Sequence, residues 1–160
     1  MFANFSPVRY KKNSSSVMSK FSISLDKDSG FHQDICAAYR TDYKYQNTLY
    51  NNYVLRDGKE AADSYSARAG YSEHQTGLAT DINKVDTSFE KTEAFKWLIN
   101  NAYKYGFILR YPKDKEEITG YNYEPWHYRY VGKEAAKTIT QENLTFEEYY
   151  AYYVNSKKEK

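Results

Sequence analysis

The sequence predicts a single α+β domain, and three observations predict it. The chain has 160 residues, enough for one hydrophobic core and too few for two. Helix-period and strand-like segments follow one another without the regular strand–helix–strand alternation of a parallel sheet. With 19 tyrosines at a mean hydropathy of −0.91, core and surface are expected to be built from amphipathic rings whose hydroxyls reach polar partners.

Taken in order, residues 1–20 are rich in Ser, Lys and Asn and read as an arm or linker, and the globular domain is expected over 21–155. "DICAAYR" (34–40) is a short apolar run that fits a buried strand or a helix segment. Thr41 to Arg56 reads as a helix, with Tyr45, Leu49 and Tyr53 four residues apart. Asp57-Gly58 breaks it, and a short helix is expected over Lys59 to Tyr65. "SARAGYSEHQTGLATDI" (66–82) has loop chemistry first and strand chemistry last. Thr87-Ser88-Phe89-Glu90 has capping-box spacing, ahead of a helix whose Phe95, Leu98, Ile99, Ala102 and Tyr103 form one apolar stripe. Gly106 suits its stop. Strands are expected over 107–111 and 121–131, joined by the turn-like "PKDKEEITG". Thr145-Phe146-Glu147-Glu148 repeats the capping-box spacing and starts a last helix with Leu144, Tyr149, Tyr150 and Tyr153 as apolar contacts, before a charged tail at 156–160.

Composition narrows the function. A net charge of +2 with interspersed signs carries no electrostatic footprint for nucleic acid. Cys36 is the one cysteine, which excludes an internal disulfide and a multi-cysteine zinc site and leaves a small buried hydrophobe as the natural reading. No apolar run approaches the ~20 residues of a membrane span, and "KKNSSS" stands where a signal peptide would carry its apolar segment. A cytosolic protein and a chain that begins after a removed anchor are both compatible with that.

Chemistry concentrates around two of the three histidines. His74 precedes Asp81 by seven positions in "SEHQTGLATD", and His127 follows Glu124 by three in "EPWH". Two imidazoles and one carboxylate make a three-ligand set with an open fourth position, the pattern of a catalytic zinc. Glu124 then remains as a general base. The opposing reading is two unrelated histidines on the surface or in a satisfied core, and spacing alone leaves both open. A turn at Thr76-Gly77 is required for His74 and Asp81 to converge, and irregular backbone is required at Glu124–His127, because odd offsets along a strand point to opposite faces.

"SEHQTGLATD" (72–81) and "EPWHYRYVG" (124–132) resemble, in the right order, the two signatures of the VanY-type D-alanyl-D-alanine carboxypeptidases. "AYRTDYKYQ" (38–46) resembles a third segment of that family, with Ala38 in place of glycine and Thr41 in place of serine. The resemblance implies a small antiparallel sheet flanked by helices and one Zn2+ per chain held by His74, Asp81 and His127, with Glu124 as catalytic base. It implies that Arg40 binds substrate and stabilises the transition state, and that Ser72 and Gln46 contact substrate. Arg68 and Tyr71, in the loop before the first motif, and Trp126, between base and ligand, are further substrate-side candidates. The implied partner is a peptidoglycan peptide ending in D-Ala-D-Ala, at the bacterial envelope or as a precursor in the cytoplasm. L,D-carboxypeptidases and cell-wall endopeptidases share this chemistry, and a non-catalytic zinc module that binds cell-wall peptide is the alternative of another class. By the same resemblance, loss of the D-Ala-D-Ala terminus would lower sensitivity to glycopeptide antibiotics.

Overall fold

A computed structural model describes residues 42–82 and 85–157. The expected arm at 1–20, the apolar run at 34–40 and Arg40 lie outside the described residues. Helix α1 (Tyr43–Asp57) starts at Asp42, whose carboxylate accepts from the Tyr45 amide at 2.7 Å, and ends at Gly58. Its buried face is formed by Gln46 and Tyr50, while Tyr45 is 55% exposed. The reason is polar. The Gln46 amide donates to the Ala67 carbonyl at 2.6 Å and the Tyr50 hydroxyl to Asp63 at 2.6 Å. These bonds pin α1 to the short helix α2 (Lys59–Asp63) and the loop after it.

Three strands follow in the order β1 (Ala79–Asp81), β3 (His127–Tyr130), β2 (Phe107–Leu109), both pairings antiparallel. Because side chains alternate along a strand, β3 divides its residues between two faces. Tyr128, fully buried, joins Phe107, Leu98, Ala102, Phe89 and Ile82 in the main core. On the opposite face Ile108 packs with Ala136 and Ile139 of α5 (Lys133–Gln141). His127 and Arg129 share that face, so the apolar layer under α5 and the polar cluster described below lie on one side of the sheet.

Helix α3 (Glu93–Asn101) does place Leu98 and the following Ala102 in the core, but Ile99 is 40% exposed and the helix begins later than the Thr87 spacing suggests. Asp86, one residue upstream, takes the Ser88 amide at 2.8 Å and caps a 3-10 turn over Thr87–Lys91, which inserts Phe89 into the core. Thr92 then caps the true helix by accepting from the Phe95 amide at 3.2 Å. Of the expected strand at 121–131 only His127–Tyr130 form a strand, and "PKDKEEITG" contains a single helical turn, α4 (Glu116–Thr119). Helix α5 has no counterpart in the sequence reading: its nine residues bury two, Ala136 and Ile139, too few to mark a periodic stripe. The Thr145–Glu148 capping box is present at the start of α6 (Phe146–Tyr149), with both reciprocal bonds at 3.1 and 2.7 Å.

Gly106, between α3 and β2, has φ +89°, and a Cβ there would lie 2.7 Å from Tyr130 Cε2 and 3.1 Å from the backbone of Gly132 and Lys133. The Gly106→Ala variant meets both strained backbone and a clash that main-chain atoms cannot relieve. It is expected to lose about 1–3 kcal/mol of stability, seen as a lower urea midpoint with an unchanged slope.

Candidate metal centre and active site

His74 is carried by a 3-10 turn over Glu73–Thr76, which Gly77 closes with φ +69°. That left-handed residue supplies the expected reversal and feeds the chain into β1, where Asp81 pairs in register with His127 of β3. Before β3 the chain makes a tight turn, with the His127 amide donating to the Glu124 carbonyl at 3.2 Å. Pro125 and Trp126 occupy its middle, so Glu124 and His127 reach the same side despite their odd spacing.

The ligand atoms of His74, Asp81 and His127 lie within 4.8 Å of one another. His74 Nε2 is 3.5 Å from Asp81 Oδ2, and His127 Nδ1 is 3.3 Å from Asp81 Oδ1. The two rings meet edge to face at 4.8 Å. Asp81 Oδ1 is buried and makes no hydrogen bond with any described group. A carboxylate with an imidazole nitrogen facing each oxygen, one of those oxygens buried without a hydrogen bond, is a donor set that suits a divalent cation, so the residues fit a metal.

Electrostatics agree with this donor set. Burial acts to raise the Asp81 carboxyl, but the two imidazoles beside it outweigh burial and hold it well below the usual carboxylate range. Burial acts to lower the His127 imidazole, but the Asp81 and Glu73 carboxylates overcome it and raise the group to about 9. Glu124 is different. Its Oε2 lies 3.5 Å from His127 Nδ1, and burial, assisted by the Asp81 and Glu73 charges, raises its carboxyl to about 7. Its backbone is anchored by a bond to the Tyr111 carbonyl at 3.1 Å. The Tyr111 ring packs 4.9 Å from the His127 ring and stacks on Tyr121 at 4.7 Å, forming an aromatic wall.

The structure brings together His74, Asp81, His127 and Glu124, and shows the local partners of the described substrate-side candidates. Ser72 is buried at the start of the 3-10 turn. The Gln46 amide is committed to the Ala67 carbonyl. Arg68 pairs with Asp63 at 2.9 Å and lies over the Tyr50 ring, which engages its guanidinium in holding α1 and α2. Tyr71 is 79% exposed, and Trp126 packs partly against the main core. Sequence reasoning passed over Glu73, Arg110, Arg129 and Glu147. Glu73 Oε1 accepts from Arg110 Nε at 2.9 Å and lies 3.4 Å from Arg129 Nη1, while Arg110 grips Glu147 at 2.6 and 3.1 Å. The available signal was Glu73 itself, a carboxylate adjoining a candidate ligand inside the first motif.

The structure thus gathers two histidines, an aspartate and an adjacent buried glutamate at a small antiparallel sheet and the turns that enter it. The sequence model of the VanY D-alanyl-D-alanine carboxypeptidase family matches residues 10–133, and the chain belongs to that family. It is 46% identical over 148 residues to the putative carboxypeptidase YodJ of Bacillus subtilis, covering 89% of this chain and 54% of that protein. The chain thus spans about half the length of that curated relative. Among solved structures, the LdcB LD-carboxypeptidase superposes with a TM-score of 0.77 at 40% identity, over 94% of this chain and 73% of that one. A mutant of the vancomycin-resistance D,D-pentapeptidase VanY in complex with Zn(II) superposes with a TM-score of 0.71 at 36% identity, over 93% and 86%. Among the described residues no helix is long and apolar enough to cross a membrane.

Proposed function

We propose that this chain is a zinc carboxypeptidase that removes the C-terminal D-alanine from peptidoglycan stem peptides or their precursors, cutting the D-Ala-D-Ala bond. The observation that carries the reading is the buried Glu124 carboxylate beside the His74–Asp81–His127 cluster, since a purely structural metal needs no base next to it. His74, Asp81 and His127 hold one ion. When bound, zinc polarises the scissile carbonyl and acidifies the attacking water. Glu124 takes that water's proton on its carboxylate and returns it to the departing D-alanine amine. Raised to about 7, Glu124 has the poise for both transfers near neutral pH. Tyr111 and Tyr121 shield one side of the centre from water, and the Tyr111 carbonyl fixes the base. By the family resemblance, Arg40 takes the substrate's anionic groups, for which a guanidinium offers paired donors. Such a substrate implies action at the bacterial envelope or on precursors inside the cell.

A second reading, cleavage of the L,D bond of a tetrapeptide, is favoured by the higher identity to the LD-carboxypeptidase than to the D,D-pentapeptidase, 40% against 36%. Mass spectrometry of muramyl pentapeptide and tetrapeptide incubated with zinc-loaded protein separates the two. Loss of one alanine from the pentapeptide alone supports the D,D activity, loss from the tetrapeptide the L,D activity, and loss from neither overturns the carboxypeptidase reading.

The raised His127 group sets the pH dependence of metal uptake. A protonated imidazole must release its proton to ligate, so zinc binding near neutral pH should expel close to one proton from His127, falling to about half a proton as pH reaches about 9. Affinity should rise by up to about tenfold per pH unit and flatten above the folded value. Calorimetric titration in two buffers of different ionisation enthalpy reads this proton directly.

A further inference from the structure

The metal centre is braced from behind by a chain of charges that ends outside the region matched by the family. His127 directs Nδ1 toward Asp81 and Glu124, and its other nitrogen, Nε2, faces Glu73 Oε2 at 3.5 Å. Both facing atoms are buried and make no hydrogen bond with described groups, so the 3.5 Å approach is an ionic contact between two otherwise unpartnered atoms. The second oxygen of Glu73 accepts from Arg110 Nε at 2.9 Å. Arg110, on the residue after β2, is itself buried, its guanidinium lying between the Tyr111 and Phe146 rings at 4.8 and 5.3 Å. Its two remaining nitrogens grip both oxygens of Glu147 on α6 at 3.1 and 2.6 Å, a bidentate geometry that fixes orientation as well as charge. Its backbone amide also donates to the His127 carbonyl at 3.0 Å. The family match ends at residue 133, so Glu147 lies 14 positions beyond it.

We infer that Glu73 is a positioning residue that holds His127 in the tautomer and orientation needed for Nδ1 to ligate, and that Arg110 and Glu147 fasten Glu73 to the C-terminal helix. This rests on the zinc-site reading above. A carboxylate opposite Nε2 keeps the proton on that nitrogen and leaves Nδ1 free for the ion. In Glu73→Gln the amide oxygen is claimed by Arg110 and Arg129, so the amide NH2 turns toward Nε2. That favours the tautomer with its proton on Nδ1, the wrong one for ligation. Helix α6 thereby belongs to the metal site's support, although it contributes no ligand.

The test measures zinc affinity of the full chain by competition with a chromophoric chelator, together with the visible absorption spectrum of the Co(II)-substituted protein and thermal unfolding of the metal-free protein. Glu73→Gln is expected to weaken zinc binding by about 10- to 100-fold and to alter the Co(II) bands. Glu147→Gln, at a partly buried residue that supplies no ligand, should give a smaller loss in the same direction. A merely structural role would lower the unfolding temperature and leave affinity and spectrum unchanged. Wild-type affinity and Co(II) bands in Glu147→Gln, whether or not Glu73→Gln folds, would overturn the inference. A wild-type chain that binds no zinc would instead overturn the metal-site reading, and this inference with it.

Discussion

Glu124→Gln is expected to lower kcat by about 100- to 10,000-fold, the range for loss of a general base, while zinc stays bound. The amide matches the carboxylate in shape, and the backbone bond to Tyr111 and the turn into β3 are untouched. What disappears is the group able to take a proton at a position 3.5 Å from a ligand nitrogen. Glu124 is not one of the three clustered ligand residues, so zinc should stay bound without its charge. Steady-state kinetics with elemental analysis of the same preparation makes the check. Near-wild-type turnover in a fully loaded variant would dismiss Glu124 as the base.

Asp81→Asn should abolish both stoichiometric zinc and activity, weakening affinity by more than about 100-fold, beyond the usual effect of losing an outer partner of a ligand. The Asp81 carboxylate is the anion that both imidazoles face, at 3.5 and 3.3 Å, and those imidazoles keep it ionised well below the usual carboxylate range. An asparagine offers one neutral oxygen in its place. Because β1 pairs with β3 through main-chain atoms, the ladder at Asp81–His127 survives. Circular dichroism should therefore stay native while metal is lost. Retained zinc with wild-type affinity would remove Asp81 from the ligand set.

Short-range chemistry accounts for what the sequence made legible. Gly77, Gly106 and the Thr145–Glu148 box act within a few residues, and each stands where spacing put it. The four residues at the centre were likewise readable, because two compact motifs carry them and the required turns lie inside those motifs. Competition between local signals explains one miss: Asp86 captured the cap that Thr87 appeared to own, and Thr92 began the helix. Sparse burial explains another, as Ala136 and Ile139 alone anchor α5. The brace was hidden by distance, since Glu73, Arg110 and Glu147 are separated by 37 residues at each step and no periodicity links them. Arg68 was readable as a residue beside the first motif, but its ion pair with Asp63, five residues upstream, was not.

The most direct measurement is anomalous diffraction at the zinc edge from crystals of the zinc-loaded protein. The account predicts one peak per chain at about 2.0–2.2 Å from His74 Nε2, His127 Nδ1 and an Asp81 oxygen, with Glu124 alongside but unbound. A fully loaded protein whose peak lies elsewhere, or whose ion takes Glu124 in place of Asp81, would contradict it.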